Sequence, residues 1–271
     1  MEITFLGHAA VKLKGSRTVF LDPFLSGNPA AAIAAKEIRE ADVVAVTHDH
    51  GDHLGDAFAI VRKTGAVLVA INEVAVDAQS LGLTAEGMNF GGTVEARGVK
   101  VHMVPAWHSA KKGTAAGLVI EFDGRRVYHA GDTGLTYDLK LIGEFFEPDL
   151  SFIPIGDRYT MGVPSAVKAV EFTRSRRVIP VHYDTFPNIK ADFPHPEEIL
   201  IACDGKNLLI AGRDKLAGAS QVEYGTANAV YTFLQKYLDV RWLWPGPLGE
   251  DIVAKKTISF NPFEYKYHPP F

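Results

Sequence analysis

Along the first two thirds of the chain, short runs of apolar and β-branched residues alternate with Gly, Pro and Asp: EITFLG, AVKLKG, TVFLDP, DVVAVTH, AVLVAI, KVHMVPA, AGLVIEFDG, RRVYHAGD, DLSFIPIG and RVIPVH. Their length and β-branched content predict strands rather than helices. The tight links in KLKGSRTVFL and EFDGRRVYH predict antiparallel hairpins. Between the later runs the apolar spacing changes. PSAVKAVEFTRS opens on Pro164 and Ser165 and carries Val167, Val170 and Phe172 at roughly helical spacing. HLGDAFAIVRKTG stops at Gly65, a residue that often ends helices. Strand hairpins mixed with helices predict sheets packed face to face and covered by helices.

The last part of the chain has a different pattern. KNLLIAG predicts a strand, and GTANAVYTFLQKYL places Val230, Phe233, Leu234, Tyr237 and Leu238 on one face of an amphipathic helix. VRWLWPGPLGE and an aromatic, proline-rich tail, SFNPFEYKYHPPF, follow. The pattern shifts near residues 190 to 200. We therefore expect a domain over 1–195 and an extension over 196–271.

Composition narrows the function classes. The 271 residues are 47% hydrophobic and 22% charged, with a formal charge of -4, which gives no reason to expect a nucleic-acid or acidic-membrane partner. The single cysteine, Cys203, excludes a disulfide within the chain and a zinc site built from several thiolates. The N-terminus lacks the basic start and continuous apolar core of a signal peptide. No apolar stretch approaches the ~20 residues needed to span a bilayer. A cytoplasmic protein acting on a small molecule is the expectation.

The densest chemistry lies in VVAVTHDHGDHLGD, residues 43 to 56. His48, His50, Asp52 and His53 fall in the turn after a strand, where side chains can converge on one small volume. Neutral imidazoles and carboxylates are ligands for Zn²⁺ and similar ions. The competing reading is a solvated polar turn, which such clustering of His and Asp disfavours. Three further strand ends finish on ligand-type residues: His108, Asp132 and His182. Together these are seven candidate ligands, enough for two metals with positions left for water and substrate.

The order H-x-H-x-D-H followed by His, Asp and His resembles the metallo-β-lactamase superfamily. Its small metal-dependent hydrolases related to L-ascorbate-6-phosphate lactonase resemble this chain more closely, through ITFLGHAA, DPFLSGNP, THDHGDHLGD, HAGDTGL, PIGDRYTMG and VIPVHYDTFP. The resemblance covers residues 1 to about 190. It implies an α/β (α+β) fold, a four-layer αββα sandwich with the site on one rim. It also implies that His48, His50 and His108 hold a first metal, that Asp52, His53 and His182 hold a second, and that Asp132 bridges both. The cofactors implied are two divalent ions, Zn or Mn with Fe as a further option, sharing a hydroxide nucleophile. Asp52 and Asp132 are the catalytic candidates, Asp52 orienting that nucleophile or taking part in proton transfer.

Other residues are weaker candidates. Asp22 resembles the superfamily's acidic residue that orients a ligand histidine, against an Asx turn before Pro23. His8 is a candidate substrate contact or supporting residue, against a simple turn histidine. His129 reads as a packed or supporting histidine, while His102, His195 and His268 belong to no constellation. Lys111, Lys112 and Arg158 lie in loops that could meet a phosphate, although a solvated loop charge is the stronger reading. Tyr159, Thr160 and Tyr183 are further candidates for the pocket.

The extension departs from that pattern. GTANAVYTFLQKYLDVRWLWPGPLGE resembles part of the non-catalytic α/β domain of hexosaminidase- and α-glucuronidase-like glycosidases, but no catalytic barrel follows it here. Trp242, Trp244, Phe260, Phe263, Tyr265, Tyr267 and Phe271 bring apolar area that must be covered. Packing on the hydrolase together with a partner contact is favoured, and a homo-oligomer formed through the extension is one form of it. The leading function is a dinuclear metal-dependent hydrolase acting on a lactone, with a phosphorylated sugar lactone among the options. A phosphodiesterase is the alternative. A redox member of the superfamily is disfavoured, because diiron members typically carry a glutamate where His50 stands. A non-catalytic metal-binding protein and a carbohydrate-associated module are the remaining classes.

Overall fold

A computed structural model describes residues 1–191, 199–203, 208–212, 214–217, 220–238, 241–242, 250–251 and 262–267. The chain divides into two compact units, Met1–Ala191 and Asp192–Phe271.

The first unit holds two six-stranded mixed sheets. One runs in chain order through β1 (Glu2–Gly7), β2 (Ala10–Lys14), β3 (Thr18–Leu21), β4 (Val43–Ala45), β5 (Val67–Ile71) and β6 (Ala85–Met88). Its first three strands form antiparallel hairpins, whereas β3 to β6 are parallel. Parallel neighbours need crossovers, and helices α1 (Gly51–Leu54), α2 (Ala57–Thr64) and α3 (Asn72–Ser80) lie in them. Every residue of β4 and β5 is buried, which explains why VVA and VLVAI lack polar alternation.

The second sheet has the order β12-β11-β10-β9-β8-β7. It comprises β7 (Thr93–Ala96), β8 (Val99–Pro105), β9 (Ala116–Phe122), β10 (Arg125–His129), β11 (Leu150–Pro154) and β12 (Val178–Val181), with α4 (Asp138–Phe146) and α5 (Val163–Thr173) between the last three. One core joins the sheets: Leu6, Val11 and Val44 from the first belong to the same buried cluster as Met103, Leu118 and Phe152 from the second. With helices on the outer faces this is the four-layer αββα arrangement.

Two details differ from the expected pattern. The buried stripe of α5 is Ala166, Ala169, Val170 and Thr173, while Val167 and Phe172 are half-buried. Helix α4 is absent from the expected elements, and it carries Gly143 in its interior. In place it allows close packing, since a Cβ there would lie 2.2 Å from the Phe172 carbonyl oxygen.

In the second unit, β13 (Ile199–Cys203) lies between β14 (Leu208–Gly212) and β19 (Phe263–Tyr267), both antiparallel to it. The pairs β15 (Asp214–Ala217) with β16 (Ser220–Tyr224) and β17 (Arg241–Trp242) with β18 (Glu250–Asp251), and helix α6 (Gly225–Leu238), complete it. Helix α6 buries Ala229 and Phe233 against Ile199 and Ile201, with Leu234, Tyr237 and Leu238 packed alongside. Val230, expected on that face, is 39% exposed. FEYKY in the tail is strand β19, and Phe263 stacks on Tyr237 with ring centroids 4.4 Å apart. His195, Trp244, Phe260, His268 and Phe271 lie outside the described residues. No helix among the described residues is long and apolar enough to cross a membrane.

Candidate metal centre

Strand direction assembles the site. Strands β3 and β4 are parallel, so Asp22 and Thr47–His48 leave the first sheet at one edge. In the second sheet β8 and β10 are both antiparallel to β9 and therefore run the same way, and β11 and β12 continue parallel to β10. Their C-terminal ends deliver His108, Asp132 and His182 to one rim, as loops at the carboxyl ends of parallel strands commonly do. His8, Asp22 and His182 have left-handed backbone, with φ of 61°, 42° and 58°. Such conformations are uncommon for residues with a side chain and cluster where a structure holds functional groups in place. In the HAGD turn Gly131 has φ of 60°, and a Cβ would lie 2.7 Å from the Ala116 carbonyl oxygen.

The eight polar residues fall into overlapping groups whose ligand atoms lie within 4.8 Å of one another: His48, His50 and His108; His8, Asp52, His53 and His182; and His48, His53 and Asp132. Asp132 stands between them. Its Oδ1 is 3.2 Å from His53 Nε2, and its Oδ2 is 3.1 Å from His182 Nε2 and 3.4 Å from His108 Nε2. These approaches lack hydrogen-bond alignment, and His53 Nε2, Asp132 Oδ1 and both His182 ring nitrogens are buried without a hydrogen-bond partner. Buried polar atoms left in this way are rare and costly, and a shared cation would satisfy His53 Nε2, Asp132 Oδ1 and His182 Nε2. The nitrogen and carboxylate donor set fits zinc, manganese or iron.

Asp22 organises two of these histidines at once. Fully buried, it accepts hydrogen bonds from the Thr47 amide at 2.8 Å, the Thr47 hydroxyl at 2.7 Å and His53 Nδ1–H at 2.7 Å. The last bond places the proton on Nδ1 and directs the His53 Nε2 lone pair toward Asp132. Because the Thr47 hydroxyl donates to Asp22, it accepts from His48 Nδ1–H at 3.0 Å. His48 Nε2 is then free to ligate, 3.0 Å from His50 Nδ1. A carboxylate that fixes the tautomer of a ligand imidazole is the usual outer support of a metal site.

Electrostatics follow from burial and pairing. Burial opposes the protonated form of His53, but the Asp132 and Asp22 carboxylates on either side hold its pKa well above the ordinary histidine value. His182 is likewise raised, burial being outweighed by Asp132 and Asp52. His48, buried and facing other imidazoles, is pushed down to about 3. Burial would raise Asp52 and Asp132, yet the surrounding histidines hold both carboxylates below the usual range.

The site opens into a cavity of about 600 Å³ lined by His50, Asp52, His108, Asp132 and His182 at its base. Ser109, Tyr159 and residues Phe186 to Ile189 line the rest. His8, Arg158 and Tyr183 are not among the lining residues. The His8 side chain is fully buried, with Nε2 3.2 Å from Asp52 Oδ2 and Nδ1 3.0 Å from Thr185 Oγ1. Burial and these two contacts place it behind Asp52 and off the cavity surface. The Arg158 guanidinium lies over the Tyr159 ring, and Lys112 pairs with Asp77. His129 is buried, with Nε2–H donating to the Ala9 carbonyl and Nδ1 accepting from the Gly131 amide. Thr47, Thr185 and the Phe186–Ile189 segment were not singled out from the sequence. Only their proximity in sequence to His48 and His182 could have marked them.

Residues 17–183 match the Beta-lactamase superfamily domain. A UPF0173 metal-dependent hydrolase of Methanopyrus kandleri is 50% identical over 209 residues, covering 73% of this chain and 89% of that protein. The chain belongs to the UPF0173 metal-dependent hydrolases of the metallo-β-lactamase superfamily. Among solved structures, the metallo hydrolase Igni18 from Ignicoccus hospitalis superposes with a TM-score of 0.66 at 38% identity, covering 70% of this chain and 85% of that one. An isothiocyanate hydrolase from Delia radicum gut bacteria has the same fold, with a TM-score of 0.57 at 16% identity, covering 71% of this chain and 88% of that one. This UPF0173 protein is accordingly a metal-dependent hydrolase, with a histidine and aspartate cluster able to bind metal.

Proposed function

We propose that the chain is a dinuclear hydrolase whose first choice of substrate is a lactone, with a phosphodiester as the alternative. The observation that carries this reading is the position of Asp132, one carboxylate facing His53 on one oxygen and both His182 and His108 on the other. His48, His50 and His108 would hold one ion, and Asp52, His53 and His182 the other, with Asp132 common to both. Zinc, manganese or iron at such a pair supplies Lewis acidity and acidifies water at the site.

The chain's own groups do the rest. Asp22 keeps the His53 lone pair, and through Thr47 the His48 lone pair, directed inward. Asp52 lines the cavity and is held ionised, so it is placed to orient a water or to take a proton at the cavity base. Residues 1–195 would form the hydrolase domain and 196–271 a packing or partner-binding extension, including contact with a second copy. The resemblance of that extension to a glycosidase-associated module supports no glycosidase activity.

Elemental analysis of protein purified without chelators, followed by a screen of lactones and phosphodiesters with the ion found, tests the reading. Near two equivalents per chain are expected. Asp132→Ala should lose metal and turnover together. Retention of both ions and full turnover by that variant would refute the shared-carboxylate assignment.

A further inference from the structure

One wall of the cavity takes no part in holding metal. Tyr159 comes from the loop after β11, and Phe186, Pro187 and Ile189 from the loop after β12. Ile189 is buried, Phe186 is half-buried and Tyr159 is half exposed. The two loops are tied together by Asn188 Nδ2, which donates to the Tyr159 hydroxyl at 3.1 Å.

The second loop is also braced internally. The Asp184 amide donates to the Ile189 carbonyl at 2.8 Å, and the Ile189 amide to the Phe186 carbonyl at 3.2 Å. Phe186 packs edge-on against the buried His8 ring with centroids 5.5 Å apart. An apolar surface held in this way needs little ordering on binding, which favours affinity for a group of matching character.

Charge points in the same direction. Among the described residues that line the cavity there is no lysine or arginine. Neither basic side chain of the two loops is a lining residue: the Arg158 guanidinium lies over the Tyr159 ring, 5.4 Å from its centroid, and Lys190 pairs with Asp184 at 3.5 Å. A phosphate remote from the scissile bond would meet mainly aromatic and aliphatic carbon on this wall, whose polar groups, the Asn188 amide and the Tyr159 hydroxyl, bond to each other. An apolar substituent would leave water there, as ligands of mainly apolar pockets do.

We propose that the site takes a neutral lactone or ester carrying an apolar or aromatic substituent, which Phe186, Tyr159 and Ile189 receive, and that it does not take a phosphorylated sugar lactone. This substrate class rests on the hydrolase reading above and makes those three side chains the specificity-determining residues.

The test uses the full chain loaded with zinc and compares kcat/KM for γ-phenyl-γ-butyrolactone, unsubstituted γ-butyrolactone and glucono-δ-lactone 6-phosphate. The phenyl lactone is expected to exceed the unsubstituted one by about tenfold or more, the scale on which an apolar pocket discriminates. That ratio should fall toward one in Phe186→Ala and in Tyr159→Ala, the latter at a half-exposed position, while Tyr159→Phe, which loses only the tie to Asn188, should keep most of it. Equal kcat/KM for the two neutral lactones, or a preference for the phosphorylated one, would overturn the substrate class and leave the hydrolase reading intact.

If no lactone turned over, the hydrolase reading on lactones would fail, and binding would decide the inference separately. Calorimetric titration of the same protein with 4-phenylbutyrate and with 6-phosphogluconate compares two carboxylates that differ in the remote group. Tighter binding of the phenyl compound, weakened in Tyr159→Ala, supports the apolar wall. Equal binding or the reverse order overturns it.

Discussion

Replacing Asp22 by Asn keeps the shape of the side chain and removes only its charge and one acceptor, so it isolates the role of this carboxylate. In the native chain three donors converge on it: the Thr47 amide, the Thr47 hydroxyl and His53 Nδ1–H. The Asn carbonyl can still accept from the Thr47 amide. Its NH2 group then faces two groups that were donors. To keep those contacts, His53 must move its proton to Nε2, the nitrogen directed at Asp132, and the Thr47 hydroxyl must turn to donate to His48 Nδ1. Both imidazoles would present N–H where a ligand lone pair is needed. Loss of one outer support typically costs 10–100-fold in metal affinity, or roughly 1.4–2.8 kcal/mol. Because two ligands depend on Asp22, we expect Asp22→Asn to fall at the upper end, about 100-fold weaker. Competition with a chromophoric zinc chelator measures the affinity, and thermal melting of the metal-free protein reports separately on folding. If Asp22→Asn bound zinc as tightly as the parent chain, the tautomer argument would be wrong and Asp22 would serve packing alone.

Further outcomes follow from the same geometry. Metal loading near the ordinary histidine pKa should release protons, because flanking carboxylates raise the pKa values of His53 and His182 and favour their protonated forms without metal, while ligands must be neutral. The sign follows from those directions: affinity rises as pH climbs from the ordinary histidine value, ~6.5, through the raised values. Zinc titrations in two buffers of different ionisation enthalpy give the proton count, and a count of zero at pH 6.5, the ordinary histidine value, would contradict the direction of the two shifts. His8→Ala should weaken metal binding by about tenfold or less, since it frees Asp52 without removing a ligand from the proposed set. A loss as large as that of Asp132→Ala would instead make His8 a ligand. Gly131→Ala should destabilise the fold by more than the ~1–2 kcal/mol that its left-handed backbone alone would cost, because the added Cβ meets the Ala116 carbonyl and Thr47. An unchanged melting curve would show that the turn can relax.

Much of the fold was legible because its strands bury one or both faces. The short β-branched runs VVA and VLVAI favoured strands over helices, and the turns at Gly15–Ser16 and Asp123–Gly124 announced their hairpins. What escaped was structure whose signal is tertiary. Helix α4 contains Gly143, whose use as a contact point with the Phe172–Thr173 backbone appears only once α5 is beside it. Edge strands β6 and β7 are four residues each, and AEGM and TVEA carry too few apolar residues to stand out. FEYKY does alternate, but a tail rich in proline and aromatics does not reveal that β13 lies in the second unit to pair with it.

The site shows the same divide between chemistry and support. Ligand-type residues at strand ends announce themselves because burying imidazole and carboxylate together has few other uses. Supports such as Thr47 and Thr185 carry common side chains, and their role exists only through a partner far away in sequence. Asp22 lay between the two, visible beside Pro23 yet equally a turn residue until His53 stood 2.7 Å from it. His8 carries the same ambiguity. A histidine after the first strand suggests a substrate contact, and nothing in GHAA indicates that Thr185 and Asp52 will occupy its two nitrogens. The consequence for function is specific. The loop that supplies Thr185 also supplies Phe186 and Ile189 to the cavity wall, so one segment both steadies Asp52 through His8 and meets the substrate. Thr185→Val should therefore disturb Asp52 and the neighbouring wall together, lowering zinc affinity and the preference for the phenyl lactone in the same variant. Parallel zinc competition and kcat/KM ratios measure the two effects. A change in one with the other intact would mean that support of the metal centre and choice of substrate are separable in this loop.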